Sequence, residues 1–412
     1  MSGSPAPASI ETRTSWVIAT IVLLLLSFTY GAPLIVVIAL KPIAQSLDVP
    51  RAIPSLAAGL VWFGTGSGGI LMGLLADRVG IRWTVLGGTL LMCVGLLVSA
   101  IGNAWTLLFG HWLLIGFLGS AAIYPPLLVY TSRWFDRRRG TALALISSGQ
   151  YVSGVIWPPL YEIAIDRYGW QRTMVIAAAA IAVIVTPMAV LFLRRTPPST
   201  GLAAAAAAGP APGTPVLGMR PNTAMVFLAM APFFCCIPMA MPTAHLVALC
   251  TDNGLSSETG AFMLSMLLGL AFLSRQFWGW IADNWGGLWT VLLSSFAQAL
   301  SILAYAILRS EAGLFSASVI YGLGFAGIIP AYVLAIRDLY PSRDASWRVP
   351  IMLLSGMSGM AVGSWLAGYL FDHFGHYTPA FELAFLSNIV NLVIVGALVT
   401  RQQHTRLRPA FG

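Results

Sequence analysis

Apolar residues fall in runs of about 20 along this chain, and short polar segments carrying most of the charges separate the runs. A helix of about 20 apolar residues crosses the hydrocarbon core of a bilayer, so each run predicts a membrane span. The predicted spans lie at 16–40, 54–76, 83–102, 104–132, 141–165, 173–193, 222–250, 259–282, 288–308, 312–336, 349–371 and 378–400. We therefore expect an all-α integral membrane protein with twelve transmembrane helices.

The composition supports this prediction, because 58% of the 412 residues are hydrophobic and 9% are charged, which excludes a soluble domain of this length. The net charge of +8 could suggest a nucleic-acid partner, but the arginines are unevenly placed. Sixteen of the 22 basic residues fall in the loops on one side of the membrane, five fall on the other side, and Arg275 lies inside a span. This bias predicts a cell (inner) membrane protein with both termini in the cytosol, and no nucleic-acid partner.

The first hydrophobic run is too long for the apolar region of a signal peptide, and we interpret it as a retained span. Cysteines occur only within predicted spans, where free thiols pack as small hydrophobes: Cys93, Cys235, Cys236 and Cys250. No disulfide framework, metal site or cofactor is expected.

The chain contains an internal repeat. The segment from Gly73 to Leu86 reappears 206 residues later, from Gly279 to Leu292, with eight of fourteen positions identical. The same offset relates Asp166-Arg-Tyr-Gly to Asp372-His-Phe-Gly. Two matches at one offset indicate a duplicated six-helix unit.

A low-complexity stretch with six consecutive alanines and several prolines separates the two copies. Such a composition is typical of a linker. We predict an N-terminal six-helix bundle at 1–193, a cytosolic linker at 194–221, and a C-terminal six-helix bundle with a cytosolic tail at 222–412.

Arg275 is the one clear charge in the middle of a predicted span. A guanidinium at that depth costs roughly 2.5–3.5 kcal/mol on insertion scales and normally faces a polar cavity. The expected role of Arg275 is to bind an anion, with a purely structural role as the alternative.

The segment after span 2 resembles the signature G-x-L-A-D-R-x-G-R-R of the major facilitator superfamily. The matching residues are Gly73, Leu75, Ala76, Asp77, Arg78, Gly80 and Arg82, with a departure at Ile81. The second copy keeps Gly279, Ala282, Asp283 and Gly286. The resemblance covers the whole chain, and implies two pseudo-symmetric bundles with a substrate site between them near the midplane.

Within that superfamily, the run from Arg133-Trp-Phe to Arg139-Gly140-Thr-Ala is similar to a loop of monocarboxylate porters and oxalate/formate exchangers. Arg275-Gln-Phe-Trp-Gly resembles the segment that carries their substrate arginine, and Tyr124 stands where they have a substrate-facing tyrosine. Together Arg275 and Tyr124 suggest a carboxylate clamp, because a planar guanidinium pairs bidentately with a carboxylate and a phenol adds a donor.

The resemblance also implies further roles. Additional residues could contact substrate: Tyr30, Leu34, Gln150, Tyr151, Tyr332 and Ser358. The residues expected to act in conformational gating are Gly73, Asp77, Arg78, Gly80, Arg82, Asp283, Gly286, Arg133, Arg139 and Gly140. In one transport state, Asp77 is expected to pair with a cation of the neighbouring bundle.

Several positions depart from those families. The span-11 lysine of the oxalate exchangers corresponds to Gly356, and their aromatic cage corresponds to Leu34, Val36, Leu323 and Ala326. The lysine and aspartate assigned to proton coupling in animal monocarboxylate porters correspond to Leu34 and Ala271. If protons are carried, His245 is the best-placed titratable candidate, with an ordinary pKa of about 6.5. A histidine satisfied by local hydrogen bonds is the alternative.

The expected function is secondary transport of a small monocarboxylate of lactate, pyruvate or short hydroxy-acid size, coupled to protons. An organic-anion exchanger without proton coupling is the alternative. A membrane enzyme or a flux-free sensor is disfavoured, because the sequence has no metal cluster, activated nucleophile or phosphate loop. A transporter that exports lipophilic cations would need a carboxylate in the middle of a span to bind them, and none is evident in the sequence. The expected partners are the monocarboxylate, a proton if transport is proton-coupled, and lipid, with the protein a monomer.

Overall fold

The computed structural model describes residues 9–193 and 215–407. In these ranges eleven continuous helical stretches are long and apolar enough to cross a membrane. The longest runs from Gly140 to Phe192, and at about 1.5 Å per residue it would far exceed the thickness of a bilayer. Gly169 interrupts it with φ 77° and ψ 162°, so this stretch comprises two spans and the described residues contain the predicted twelve.

We number the spans in chain order. They are α1 Arg13–Ile38, α2 Ala52–Val79, α3 Ile81–Ser99, α4 Ala104–Ser132, α5 140–168, α6 170–192, α7 Pro221–Asp252, α8 Ser257–Trp285, α9 Gly287–Ile307, α10 Glu311–Leu339, α11 Asp344–Phe374 and α12 Thr378–Thr405. A short helix, Leu40–Ser46, continues α1. Of the predicted linker 194–221, residues 194–214 lie outside the described residues.

The spans alternate in direction, and we call the end that carries the start of α1 and the end of α12 the lower end. Contacts between helix ends support this arrangement. At the upper end the Trp170 indole donates to Ser46 (2.8 Å), and at the lower end Arg348 donates to Asn222 (3.0 Å).

The internal repeat is visible in the backbone. Gly80 and Gly286, 206 residues apart, have φ of 88° and 83° at the turns α2–α3 and α8–α9. Gly169 and Gly375, related by the same offset, both have φ of 77° at the turns α5–α6 and α11–α12. Glycine adopts this left-handed region at little cost, so both copies build their tightest turns on it.

Helices α1–α6 pack mainly among themselves, as do α7–α12, and we call these sets the N-half and the C-half. Two helix pairs make most of the contact between the halves, α2 with α11 and α5 with α8. Small residues allow the close approach: a Cβ at Gly59 would lie 2.6 Å from the Ala361 carbonyl oxygen, and one at Gly154 would overlap Leu268. The N-half and C-half therefore meet along a central seam.

Burial separates the central helices from the peripheral ones. Two thirds of the most apolar window of α1, and of α7, is buried. By contrast, α3, α6 and α12 leave large apolar side chains exposed on the outer surface, including Leu90, Val183 and Val393. An apolar surface of this extent fits contact with lipid rather than water.

Candidate functional site

Tyr30 lies at a break in α1. The helix Arg13–Thr29 ends there and a new one, Gly31–Ile38, begins, with Tyr30 at φ −68° and ψ −12°. Pro33 has no N–H to donate to Thr29, which weakens the helix at this point. Gly31 lets the Trp157 indole approach, and the indole N–H donates to Ser27 (2.8 Å). The break directs Tyr30 toward α2 and α4, where its ring contacts Trp62 and Tyr124.

Arg275 lies on α8, ten residues before its lower end, and the helix is held on both sides of it. The Ser274 hydroxyl donates to the Gly322 carbonyl (3.0 Å), and the Trp278 indole donates to the Leu323 carbonyl (2.8 Å). Both acceptors lie on α10 just before its own break, where the helix Glu311–Phe325 ends. These bonds fix the rotation of α8, and they leave Arg275 facing away from α10.

Arg275 contacts one tyrosine of the N-half and interacts electrostatically with two more. Its Cζ lies 5.5 Å from the centroid of the Tyr151 ring, and the guanidinium also interacts with the Tyr151 hydroxyl. Tyr30 and Tyr124 are within electrostatic reach of the same guanidinium, and their rings are 5.7 Å apart. We call Tyr30, Tyr124, Tyr151 and Arg275 the tyrosine–arginine cluster. It joins α1, α4 and α5 to α8, which puts a cation of the C-half against phenols of the N-half.

Phe325 extends the cluster on the C-half side. Its ring is 6.1 Å from that of Tyr151 and stacks on Tyr321 at 4.6 Å. Leu323 and Ala326, which correspond to the aromatic cage of the oxalate exchangers, are aliphatic, and Phe325 lies between them. The contact of Phe325 with Tyr151 does not follow from that correspondence.

Arg275 has no acidic partner. In residues 9–193 and 215–407 no carboxylate forms an ion pair with it, and its side chain is half-buried. The neighbouring phenols can orient around a guanidinium, but they do not neutralise it. A cation in a low-dielectric site is stabilised strongly by a bound anion, so the cluster is suited to take one.

The other residues predicted to contact substrate occupy varied places. Gln150 hydrogen-bonds Tyr151 and so borders the cluster. Leu34 is half-buried and packs against the apolar core around α1. The Ser358 hydroxyl donates to the Leu354 carbonyl of its own helix (2.8 Å).

Tyr332 is fully buried, and its hydroxyl donates to Asn391 of α12 (2.6 Å). Asn391 in turn donates to Asn388, which donates to Ser295 and Gln298 of α9. This polar network lies inside the C-half, so the structure places Tyr332 there rather than beside Arg275. Helical phase in the sequence alone could not show whether Tyr332 faces Arg275 or the interior of the C-half.

His245 lies near the upper end of α7, away from the cluster. It is fully buried, and both of its ring nitrogens have partners: Nε2 lies 2.8 Å from the Ser364 carbonyl, and Nδ1 lies 3.1 Å from the Tyr377 hydroxyl. The imidazole contacts α11 and Tyr377, which directly precedes α12, rather than Arg275.

The residues predicted to act in gating lie at the lower end. Asp77 pairs with Arg133 at 3.5 Å, and both side chains are largely exposed. Both belong to the N-half, so the expected pairing of Asp77 with the neighbouring bundle is absent from this conformation. An exposed pair at that distance contributes little to stability, about 0–1 kcal/mol.

The remaining members of this set are mostly exposed. Arg78 and Asp283 are exposed, and a Cβ at Gly73 or Gly140 would meet nothing within 4 Å. The Arg82 guanidinium lies 5.2 Å from the Trp83 ring. Gly80 and Gly286 form the positive-φ turns described above. The side chain of Arg139 lies outside the described part of the chain.

An ionic contact between the halves was not predicted from the sequence. At the upper end Asp252 of α7 accepts from Lys41 (2.8 Å) and from Arg51 (3.0 Å to Nη2). Asp372 of α11 accepts from the backbone N–H groups of Arg51 (2.9 Å) and Ala52 (2.8 Å). We call Lys41, Arg51, Asp252 and Asp372 the upper clamp. Along the sequence its members are isolated loop charges, and only folding brings them together.

Arg51 is the centre of the clamp. Burial disfavours its charge, but hydrogen bonds to Asp252 and Tyr377 outweigh that effect and raise the pKa of Arg51 above its usual value. Its guanidinium also lies 3.6 Å from the centroid of the Phe371 ring. The contacts join the first loop of the N-half to α7, α11 and α12, so they hold the upper end shut.

A cavity of about 330 Å³ lies beside the clamp at the upper rim, lined in part by Lys41, Glu162, Asp166, Trp170 and Ser257. A much smaller void lies between α1 and α4, against Tyr30 and Tyr124. Glu162 and Asp166 therefore border an upper vestibule, in keeping with their predicted place at the end of span 5.

Curated relatives match this chain at low sequence identity. The chain is 24% identical to the MFS transporter asaE of Aspergillus flavus over 309 residues, which cover 74% of this chain and 68% of that protein. It is 25% identical to Monocarboxylate transporter 13 of Bos taurus, over 66% of this chain and 64% of the relative. Monocarboxylate transporter 11 of Homo sapiens is also 25% identical, over 66% of this chain and 59% of its own length.

Solved structures share the fold. A peptide transporter POT in complex with sulfate aligns with a TM-score of 0.74 at 15% identity, over 95% of this chain and 94% of the other. A bacterial homologue of the human lysosomal transporter Spinster, in an inward-facing and occupied conformation, aligns with a TM-score of 0.71 at 14% identity, over 98% and 99% of the two chains. The family profile described as Major Facilitator Superfamily matches residues 17–309 and 226–411, and the chain belongs to that superfamily of membrane transporters.

Proposed function

We propose that this transporter carries a small organic monocarboxylate, and that the tyrosine–arginine cluster binds its carboxylate. The observation that carries the proposal is Arg275: a half-buried guanidinium within a span that has no acidic partner in the described residues and faces Tyr151. Relatives named monocarboxylate transporters, at about a quarter identity, support the same substrate class.

The chemistry follows from the donors present. A guanidinium offers two parallel N–H donors to a carboxylate, and each bond is charge-assisted. Phenol hydroxyls of Tyr124 and Tyr151 can add donors to the same oxygens. Since no second cation borders the cluster among the residues named above, one carboxylate matches its charge and a dianion would remain partly unneutralised.

The rest of the substrate would meet aromatic surface. Two further rings border the cluster: Trp62 contacts Tyr30, and Phe325 contacts Tyr151. These rings suit an apolar or hydroxylated tail such as that of lactate, pyruvate or a short hydroxy acid. A hydroxyl on the tail could exchange hydrogen bonds with the phenols.

The cycle is alternating access, with the N-half and C-half rocking about the central seam. With the termini cytosolic, as the arginine distribution predicts, the upper end is the outer end and the clamp closes it in this conformation. A carboxylate on Arg275 replaces a bare charge by a neutral pair. That change lowers the cost of enclosing the site and so favours the occluded state.

Coupling to protons remains part of the proposal, with exchange of one organic anion for another as the second candidate. The observation that favours exchange is that Leu34 and Ala271 occupy the positions of the coupling lysine and aspartate in animal monocarboxylate porters. His245, the titratable candidate, lies at the upper end and not in the cluster.

The test is uptake of radiolabelled L-lactate into proteoliposomes, with an imposed inward proton gradient or with another organic acid preloaded. Wild type is compared with Arg275→Ala and with Arg337→Ala, a matched loss of an exposed arginine at the lower end. Gradient-driven accumulation that is lost only in Arg275→Ala supports proton-coupled transport through the cluster.

Two other outcomes are informative. Uptake that requires a preloaded acid and ignores the gradient supports the exchanger. Flux that is unchanged in Arg275→Ala, or no flux with any carboxylate tested, would contradict the proposed substrate class.

A further inference from the structure

His245 is linked to the upper clamp by a continuous hydrogen-bond chain. Nδ1 of His245 lies 3.1 Å from the Tyr377 hydroxyl, and Arg51 Nη1 lies 3.3 Å from the same oxygen. Arg51 in turn binds Asp252, which also accepts from Lys41. The hydrogen-bond chain passes from α7 through Tyr377, directly before α12, to the first loop of the N-half, so a change at His245 reaches the contact between the halves.

A second path leaves from the other ring nitrogen. Nε2 of His245 lies 2.8 Å from the carbonyl of Ser364, and the hydroxyl of Ser364 donates to the Ser55 carbonyl of α2 (2.9 Å). Ser55 lies one turn into α2, four residues after Arg51. The imidazole therefore supports both the side-chain and the backbone contacts that close the upper end.

The partners fix the protonation state in this conformation. The Ser364 carbonyl can only accept, so Nε2 carries the hydrogen. Nδ1 then accepts from the Tyr377 hydroxyl, whose oxygen accepts from Arg51. Every donor and acceptor in the chain is satisfied with a neutral imidazole, in the order Arg51 to Tyr377 to His245 to Ser364.

A protonated imidazole does not fit the same geometry. Its Nδ1–H would donate to Tyr377, whose oxygen already accepts from Arg51, so the phenol hydrogen would lose its acceptor. The new charge would also be fully buried and within electrostatic reach of the Arg51 guanidinium. Buried unpaired charge and like-charge proximity are both costly, so the closed upper end and the protonated imidazole exclude each other.

The other charged groups near this site do not remove the conflict. Asp252 and Asp372 are engaged by Arg51 and the start of α2, and Lys41 is engaged by Asp252. On α11, His373 is exposed, and its ring packs on Phe374. In the described residues no carboxylate contacts His245 itself.

We propose that His245 is a proton-binding site of the outer gate: the upper end closes only over the neutral imidazole, and a proton bound while that end is open holds it open. The inference rests on the alternating access of the proposed function, but not on the identity of the anion. It separates His245 from substrate coupling, since the proton binds and leaves on the same side of the membrane.

The experiment measures the upper-end distance without substrate. Nitroxide labels on Gln45→Cys and His376→Cys, both exposed and on opposite halves, report it by double electron–electron resonance. The four native cysteines are buried and remain as background. From pH 7.5 to 5.5 we expect the longer-distance population to grow at the expense of the shorter one, by at most about tenfold per pH unit for a single proton.

The variants identify the group. His245→Gln keeps a donor and an acceptor without a titratable ring, and we expect its distance distribution to stay closed and independent of pH. His111→Gln is the matched control, because His111 is also fully buried in a span but lies in the N-half, and it should respond like wild type. Tyr377→Phe should raise the open population at pH 7.5, whereas Tyr305→Phe, which removes another buried phenol hydroxyl, should not.

An unchanged distribution in wild type across this pH range, or a wild-type response in His245→Gln, would overturn the proposal. Because the labels report conformation without substrate, either result would leave carboxylate transport untouched. Conversely, absent lactate uptake with an intact pH response would contradict only the proposed substrate.

Discussion

Arg275 is the side chain on which the proposed binding of a carboxylate depends. Its guanidinium lies within a span, beside three phenols, with no acidic partner in the described residues. Sequence comparison predicted Arg275, Tyr124 and Tyr151, because polar and amphipathic residues stand out in an apolar run. It missed Phe325, since one more aromatic in an apolar helix is unremarkable until the helix rotation is known.

Arg275→Lys tests the fork geometry. Lysine keeps the charge but cannot form two parallel N–H bonds to one carboxylate. Losing one charge-assisted bond costs about 1.5–3 kcal/mol, which corresponds to roughly a ten- to hundredfold higher KM for uptake. Initial rates of lactate uptake against concentration measure it. A KM equal to that of wild type would show that Arg275 acts only as a charge.

Tyr151→Phe removes the hydroxyl closest to the guanidinium while keeping the ring contact with Phe325. We expect a KM about tenfold higher, with protein yield unchanged, because one donor is lost and the packing remains. Tyr161→Phe is the control, since Tyr161 stacks on Trp157 farther up α5. Equal effects of the two substitutions on KM would contradict a substrate role for Tyr151.

At the scale of elements, breaks in helices place the site. α1 breaks at Tyr30 and α10 at Ala326, and α4 carries Pro125 and Pro126 directly after Tyr124. Prolines and glycines in the sequence indicate where such breaks occur, but they do not indicate the direction of the helix after the break. The close approach of helices at the central seam likewise depends on glycines, and the sequence does not show which helix packs against each of them.

Gly59→Ala tests the seam between α2 and α11. A Cβ there would lie 2.6 Å from the backbone oxygen of Ala361, so the helices must separate. Overpacking of this kind costs about 1–3 kcal/mol, and we expect a lower melting temperature of the purified protein. Gly396→Ala on α12, where a Cβ meets nothing within 4 Å, is the control. Similar melting temperatures for both variants would contradict close packing at Gly59.

A segment before α1 docks on the loop after α4. The Ser9 hydroxyl donates to Asp136 (2.7 Å), and the Ile10 N–H donates to its second oxygen (3.4 Å). The bond from Ser9 is the main cause that lowers the pKa of Asp136 below its ordinary value of 3.8. Because the pKa of Asp136 is lower in the folded state, the ionised carboxylate stabilises the docked segment fully above the ordinary pKa of 3.8. This stabilisation is lost as the pH falls through the lowered, folded-state pKa.

Asp136→Asn should therefore speed amide exchange in residues 9–13 at pH 7, after correction for the intrinsic rate. Wild type and variant should converge only as the pH falls through the lowered pKa of Asp136, which lies below 3.8, because Asp136 in wild type then becomes neutral as well. Hydrogen–deuterium exchange read by mass spectrometry measures this. Equal exchange at pH 7 would show that Asp136 does not hold the segment.

At the scale of the whole molecule, the described residues contain two ion pairs between the halves, and both lie at the upper end. The other two, Asp77 with Arg133 and Asp344 with Arg348, each stay within one half at the lower end. The structure is thus clamped at one end, in a state that an alternating-access cycle must leave.

Asp252→Asn should shift the molecule toward opening of the upper end. The variant loses the charge that pairs with Lys41 and Arg51, and at about 1 kcal/mol per pair the equilibrium moves by roughly fivefold or more. The labels at residues 45 and 376 measure it at pH 7.5. Glu382→Gln, which removes an exposed carboxylate of α12 outside the clamp, is the control. An unchanged distance distribution in Asp252→Asn would mean that the clamp does not set the state.

The sequence by itself determined the twelve spans, the 206-residue repeat and the mid-membrane arginine, because hydropathy, turn glycines and a buried charge are local properties of the chain. The tertiary structure alone decided what those residues meet. It placed Tyr332 in a polar network inside the C-half, brought Phe325 to Tyr151, and joined Lys41, Arg51, Asp252 and Asp372 across 331 residues of chain. The physical reason is that membrane helices are apolar on almost every face, so periodicity cannot show which face packs inward, and only contact between helices settles it.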